Sequence, residues 1–416
     1  MVDVHDANEC RPLSLSLQGA LMRVLVLHSE LGVLRGGGEN FTRNLFSAFV
    51  ARGHQVAAAF VADRGGRYPI PLPPDIEPVP IRGWWSRKLG QATLSSIGRR
   101  VALTSRLRTK WDRVQEAICW RTIRWHTQRF QHRVEREFAH RWSNFDAVYV
   151  HGNTALASQV ARYRPTVLRL PGPVTAELTP VLHAVHAVCA NGDALARIRT
   201  FLGDHAIELH IGLDERLFRP GPTSVRSTLG WTGRHCVAGY VGRLTHLKGV
   251  DLLATAFHEL SRTGIDTKLL IVGSGEEERN IRAILVKEIA EGIAHVEPDV
   301  NHEKLSEWYR AMDVLVMPSR YENFSNAVLE AMACGVPFLA SNVGGNKMLA
   351  EQGAGWLFEP KSVRSLSECL RSVIENHLEM KARGNIGSRY VQGRCSWTAS
   401  AERLEWIIAS RLGVRA

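Results

Sequence analysis

Two glutamates, Glu322 and Glu330, stand eight positions apart in the apolar run RYENFSNAVLEAMACGVP. Upstream, in VGRLTHLKG, Arg243 and Lys248 stand five positions apart. Eight residues rise about 12 Å if helical, which is roughly the separation of the two ends of a sugar–diphosphate–ribose molecule. Glu330 is flanked by Ala327, Val328, Leu329, Ala331 and Met332. A helix apolar on nearly every side is a buried helix, and a buried carboxylate needs a partner. Two ribose hydroxyls would supply one. The plainer alternative is a solvated turn glutamate and a structural ion pair. Arg243 and Lys248 suit a diphosphate, since arginine grips phosphate bidentately and lysine neutralises it as a point charge. Two ordinary surface cations are the alternative.

Glycines add a second layer. Gly273 and Gly275 in VGSGEE let backbone approach a ligand closely, although a short G-x-G is also a common turn. In RGGGEN, Gly37 and Gly38 precede a helix start, whose free N–H groups suit phosphate. The P-loop spacing is absent, and so is G-x-G-x-x-G with a well-placed acid, which disfavours a dinucleotide fold. His151, in VYVHGN, follows a strand and is a candidate to face a cleft. A lone histidine is more often structural.

These residues fall just after apolar strand runs. LMRVLVLH, HQVAAAFVA, FDAVYVHGN, TVLRLPGP, AVHAVCANG and IELHIG read as strand-then-turn units with helices between them. After DERLFRPGP the rhythm restarts with HCVAGYVGRL, KLLIVGSG, DVLVMPS and PFLAS. Strands alternating with helices predict parallel sheets covered on both faces. The expected fold class is therefore α/β, with two Rossmann-like domains meeting near residues 211–222. In open parallel sheets, ligands bind outside the carboxyl ends of the strands. The final helix, WTASAERLEWIIASRL, does not show by its pattern which domain it packs on.

The 416 residues favour two or three domains. Hydrophobic residues at 45% and charged residues at 22% describe a globular chain rather than a disordered one. No secretory leader or spanning run is read at this stage. Seven scattered cysteines without a C-x-x-C pair fit a reduced, cytoplasmic chain.

Taken together, these residues resemble a retaining GT-B glycosyltransferase of family 4 (group 1). The resemblance spans nearly the whole chain, and its most specific part is the E-x7-E pair. IGLDERLFRP and the tryptophan-bearing final helix add to it. The resemblance implies a nucleotide-sugar donor, UDP- or GDP-linked. It implies that Arg243 and Lys248 hold the diphosphate, that Glu322 meets the donor sugar and that Glu330 meets the ribose. Gly273 and Asn326 belong to the same donor-binding set. Gly37 and Gly38 would form the first-domain loop against the donor phosphates and the acceptor, and His151 would lie near the anomeric carbon. Glu322, His151, Arg243 and Lys248 would be the catalytic group. The implied domains are 21–212 plus a crossing helix, 396–416, and 213–395. No metal is implied, in keeping with the absence of an Asp-x-Asp pair. The chain departs from the family's usual Glu-Gly-Phe-Gly with Glu322-Asn323-Phe324-Ser325. Met348 stands where a glutamate is common, and VEPDVN replaces the usual glycine-containing base-binding turn. The donor and its base therefore stay open.

The net charge of +11 lies wholly between Arg82 and Trp142, where fifteen Lys/Arg face four Asp/Glu. The same window holds six of the eleven tryptophans. It is longer than a βα connection needs. Cations beside interfacial tryptophans suit an anionic membrane surface, while a solvated helical insertion is the alternative. Nucleic acid is not expected, since no recognition motif is present. The expected role is glycosyl transfer to a glycan or lipid-linked acceptor in polysaccharide, lipopolysaccharide or glycolipid synthesis, at the inner face of the membrane. A nucleotide-sugar epimerase on the same fold is one alternative. A non-catalytic membrane- or nucleic-acid-binding protein is another.

Overall fold

The computed structural model describes residues 21–33, 37–82, 127–172, 174–231, 235–298, 300–392 and 394–413. The first half builds a seven-stranded parallel sheet in the order β3-β2-β1-β4-β5-β6-β7. Its strands are β1 (Arg23–Leu27), β2 (Gln55–Ala62), β3 (Glu77–Arg82), β4 (Ala147–His151), β5 (Thr166–Arg169), β6 (Ala187–Ala190) and β7 (Ala206–Glu208). The second half builds a six-stranded parallel sheet in the order β10-β9-β8-β11-β12-β13. Its strands are β8 (Cys236–Val241), β9 (Thr267–Val272), β10 (Ala294–Glu297), β11 (Val314–Met317), β12 (Phe338–Ser341) and β13 (Gly355–Phe358).

Each sheet reverses its winding once, between β1 and β4 in the first and between β8 and β11 in the second. A crevice opens at such a switch point, because the crossovers leave it to opposite sides. The alternation of strand side chains splits the first sheet's core into two clusters. Leu25, Val148 and Val188 lie in one, and Val24, Ala147 and Tyr149 in the other.

The last helix, Trp397–Leu412, settles what its pattern left open. Ala401, Leu404, Ile407 and Ile408 are buried in the first sheet's core, each large aliphatic side chain contributing about 1.5–3 kcal/mol by burial. Arg52 donates to Glu402 at 2.8 Å and to Glu405, while His54 Nε2 meets Glu405 Oε1 at 2.9 Å. The helix therefore crosses back onto the seven-stranded domain. The run EEERNIRAILVKEIA forms two helices, Glu278–Ile284 and Val286–Ala290, broken at Leu285.

Of the basic window, residues 83–126 lie outside the described residues, Arg121, Arg124 and five of its tryptophans among them. The remainder corrects one expectation. Phe130, Val134, Phe138 and Trp142 are buried in the first sheet's core, and Trp142 stacks on Tyr163 with centroids 5.6 Å apart. This stripe holds the helix over 127–138 to the sheet, and Trp142 does not face a membrane. Arg129 and Arg133 are exposed. Among the described residues, no helix is long and apolar enough to cross a membrane.

Candidate active site

The second sheet's switch point gathers the charged residues. After β8 the chain turns through Arg243 into a short 3-10 turn, His246–Lys248. Gly249 follows at φ +67°, where a side chain would meet Pro318 O at 2.0 Å. Only glycine fits there. After β11 the chain runs through Ser319 to Glu322. Arg320 ties the two loops together. It holds both Asp251 carboxylate oxygens, at 2.7 and 2.6 Å, and donates to His246 O at 2.7 Å. Lys248 Nζ then donates to Glu322 Oε2 at 2.6 Å, and Ser319 Oγ donates to the same oxygen at 3.3 Å. Glu322 is buried. Arg243 is exposed and makes no ion pair among the described residues. Its neighbour Gly242 packs against Gly273, which sits at φ +136° with Gly242 O only 2.0 Å from where a Cβ would be.

Ser325 caps the helix Asn326–Ala333, accepting from Val328 N. Asn326 is exposed at its first position. One turn on, Glu330 accepts from the Tyr309 hydroxyl at 2.7 Å. Burial pushes the Glu330 carboxyl up to about 7, and the tyrosine bond offsets only part of that. Burial, with the Glu330 charge beside it, raises Tyr309 well above its ordinary range. Glu330 thus has one protein partner and spare lone pairs on a half-buried group.

The first sheet's switch point carries a different set. Gly38 opens the helix Gly37–Ala51, and a side chain there would meet His151 Nε2 at 2.8 Å. Gly38 and His151, predicted separately, are therefore in contact, while Gly37 is exposed with open space around it. The His151 ring stacks on His28 at 4.2 Å. The Thr42 hydroxyl donates to Gly38 O at 3.0 Å, so it accepts from His28 Nδ1, also at 3.0 Å. Burial, then the neighbouring His28 and Arg169, push the His151 pKa well below its ordinary value, so the ring is neutral at pH 7. Arg169, at the end of β5, is 3% exposed, donates to Leu170 O at 2.7 Å and lies over the Phe41 ring.

Sequence reasoning missed His28, Thr42, Arg169, Ser319 and Tyr309. Their signal was position, since each stands near the carboxyl end of a strand or on a facing helix. Among the described residues, His28, Glu30 and Glu39 bring ligating atoms within 4.8 Å of one another. His28 Nε2 lies 3.9 Å from Glu30 and 3.7 Å from Glu39, a geometry that an ordinary polar cluster shares, so the group carries no metal assignment.

The two switch points face each other, because residues following β11 touch those following β5 and β6. Asn323 meets Pro171, Asp193 and Ala194. Two parallel α/β domains opposed across their strand carboxyl ends, with a terminal helix returning to the first, define a GT-B protein. Solved structures bear out the fold. Sucrose-phosphate synthase from Thermosynechococcus elongatus superposes with a TM-score of 0.70 at 18% identity, over 93% of this chain and 98% of that one. WaaG, a glycosyltransferase involved in lipopolysaccharide biosynthesis, superposes at 0.62 and 17%, over 93% and 100%. Residues 225–389 match the family "Glycosyl transferases group 1". Over these residues the chain is similar to that family.

Curated relatives agree. A GDP-mannose-dependent monoacylated alpha-(1-6)-phosphatidylinositol monomannoside mannosyltransferase of Corynebacterium glutamicum is 29% identical over 229 residues, 52% of this chain and 60% of that protein. A D-inositol 3-phosphate glycosyltransferase of Kineococcus radiotolerans is 32% identical over 246 residues, 53% and 56%. The chain spans about half the length of the curated relatives it matches.

Proposed function

We propose that the chain transfers a sugar from a nucleotide-sugar donor, with retention, to a glycan or lipid-linked acceptor in cell-surface polysaccharide or glycolipid synthesis. The observation that carries this reading is the charge arrangement at the second switch point. An exposed Arg243 stands beside a lysine held at 2.6 Å by Glu322, with Glu330 on the helix that follows.

Cleaving a sugar–phosphate bond builds negative charge on the phosphate. Fixed cations at that leaving group lower the barrier, because no reorganisation is needed when the charge appears. Arg243 and Lys248 fill that role. Glu322 orients Lys248 and meets the sugar, and Glu330 accepts from the ribose hydroxyls. Asn326 and Gly273 line the donor loops. On the opposite side, neutral His151 and the Gly38 loop meet the acceptor and the anomeric region. The donor domain is 213–395, and the acceptor domain is 21–212 with the crossing helix. The reading draws support from the GDP-mannose-dependent relative and from the solved complex of Anabaena HepE with UDP-glucose, a structural neighbour at TM-score 0.63. Attachment to the inner face of an anionic membrane through 82–142 belongs to the same proposal.

The test is a thermal-stabilisation screen of UDP, GDP and their sugar conjugates, followed by an acceptor-dependent transfer assay. One nucleotide series should raise the melting temperature, and Arg243→Ala should weaken that nucleotide about tenfold or more, as loss of a charge-assisted hydrogen bond does. If no nucleotide stabilises the chain, the reading fails. Product without acceptor would favour an epimerase.

A further inference from the structure

Asn323 stands where the family pattern usually has glycine, and its side chain does not serve its own domain. Its Oδ1 accepts from the Ala194 backbone N–H at 2.9 Å, and its Nδ2 donates to Pro171 O at 3.0 Å. Both partners belong to the seven-stranded domain. Its backbone carbonyl accepts from Asp193 N at 3.4 Å and, within its own domain, from Gly345 N at 2.8 Å.

The acceptor-side partner is the start of the helix Gly192–Leu202. The first N–H groups of a helix have no intrahelical acceptor. The residue in the capping position, Asn191, makes no side-chain cap. Its own amide nitrogen is buried without a partner among the described residues. Asn323 supplies the missing acceptor from the other domain. The close approach needs glycine on the seven-stranded side: Gly192 sits at φ +57°, and a side chain there would stand 2.3 Å from Asn323 O. Within the six-stranded domain, Gly344 sits at φ +53°, with Glu322 O only 1.6 Å from where a Cβ would be, so the turn carrying Asn323 is packed against its own domain.

Glu322 and Asn323 are consecutive. Glu322 turns into its own domain to hold Lys248, and Asn323 turns out to hold the other domain. A displacement of Glu322 by an arriving donor therefore moves the residue that fastens the seam. We propose that Asn323 is a positioning residue: an interdomain latch that caps the Gly192–Leu202 helix in trans and couples closure of the two domains to occupancy of the donor site. The coupling half of this proposal rests on the donor-site reading above, while the latch itself does not.

The experiment uses the full chain, with UDP and GDP as probes, and compares the native protein with Asn323→Ala, Asn323→Asp and Gly192→Ala. Hydrogen exchange reads the latch directly. The Ala194 amide should exchange roughly tenfold faster in Asn323→Ala, the loss of about one net hydrogen bond. Aspartate keeps an acceptor suited to a helix start, so Asn323→Asp should retain that protection. Gly192→Ala, made from the other side of the seam, should expose the same amide. Small-angle scattering should show an expanded particle for Asn323→Ala and Gly192→Ala. Unchanged Ala194 exchange and unchanged scattering in both variants overturn the latch.

Kinetics read the coupling. Asn323→Ala should raise KM for the nucleotide-sugar and lower kcat several-fold, while affinity for the free nucleoside diphosphate, held by the six-stranded domain alone, stays within about twofold. A latch lost in exchange with both kinetic constants unchanged overturns the coupling. If the native chain binds no nucleotide, the donor reading fails, and exchange and scattering still decide the latch.

Discussion

The two faces of the cleft handle charge differently. On the six-stranded side, ion pairs tie together the loops that follow β8 and β11. Lys248 holds Glu322, and Arg320 holds Asp251 through two bonds. On the seven-stranded side, burial drives His151 to its neutral form, and the Arg169 guanidinium is packed on an aromatic ring and a carbonyl rather than on an acid. Pre-paired ions present fixed charge to a charged ligand without first desolvating an isolated one. A neutral imidazole suits a ligand that brings hydroxyls. Under the proposed function, the diphosphate goes to one face and the acceptor hydroxyl to the other.

The largest break in this comparison is Lys248→Ala. It removes a cation from the proposed leaving-group site and leaves the buried Glu322 carboxylate without its ion pair. The expected result is a fall of about 100-fold or more in kcat/KM for the nucleotide-sugar, read by initial rates. A loss under threefold would place the diphosphate elsewhere. Gly38→Ala attacks the other face. A methyl group 2.8 Å from His151 Nε2 forces that ring to move. Acceptor KM should rise about tenfold, a larger change than any loss of nucleotide affinity. Equal effects on both ligands would erase the distinction between the faces.

A smaller effect sharpens the donor face. The Glu330 carboxyl titrates near 7 when folded, against 4.5 as its ordinary value. Between these values the folded chain holds a proton that the unfolded chain has released. Its contribution to stability is therefore present at low pH and is lost as pH rises through about 7. Melting temperatures measured from pH 5 to pH 7.5 should fall less steeply in Glu330→Gln than in the native chain. Parallel curves would show that Glu330 is ionised throughout.

The fold was largely legible, and the reasons for the misses are physical. Strands buried on both faces, such as β1, β8 and β9, read as continuous apolar runs. The three strands without such a signal, β3, β10 and β13, are all sheet edges. Edge strands are covered less, and β3 carries two prolines that a central strand would not tolerate. Gly38 and His151 were legible one by one, but their contact was not, since 113 positions of sequence separate them. Asn323 was visible only as a departure from a pattern, because its partners lie in the other domain. The basic window misled through Trp142: a stripe of aromatic residues at helical spacing is compatible with a core or a membrane, and the core claimed it. The smallest expected effect concerns what remains of that window. Arg129→Gln and Arg133→Gln, made singly, should each weaken binding to anionic vesicles about fivefold at low salt, as each basic group near such a surface adds about 1 kcal/mol. Neutral vesicles should show no change. Unaltered anionic binding would clear these two residues of a membrane role.

The most direct measurement is calorimetry of the nucleoside diphosphate and of the matching nucleotide-sugar against Glu322→Ala and Glu330→Ala. If the six-stranded face is the donor site, Glu330→Ala weakens both ligands, through the ribose they share. Glu322→Ala weakens the nucleotide-sugar clearly more than the free diphosphate, since it removes the sugar contact as well as the anchor of Lys248. Equal losses of both ligands in both variants, or undiminished affinity throughout, would contradict the assignment.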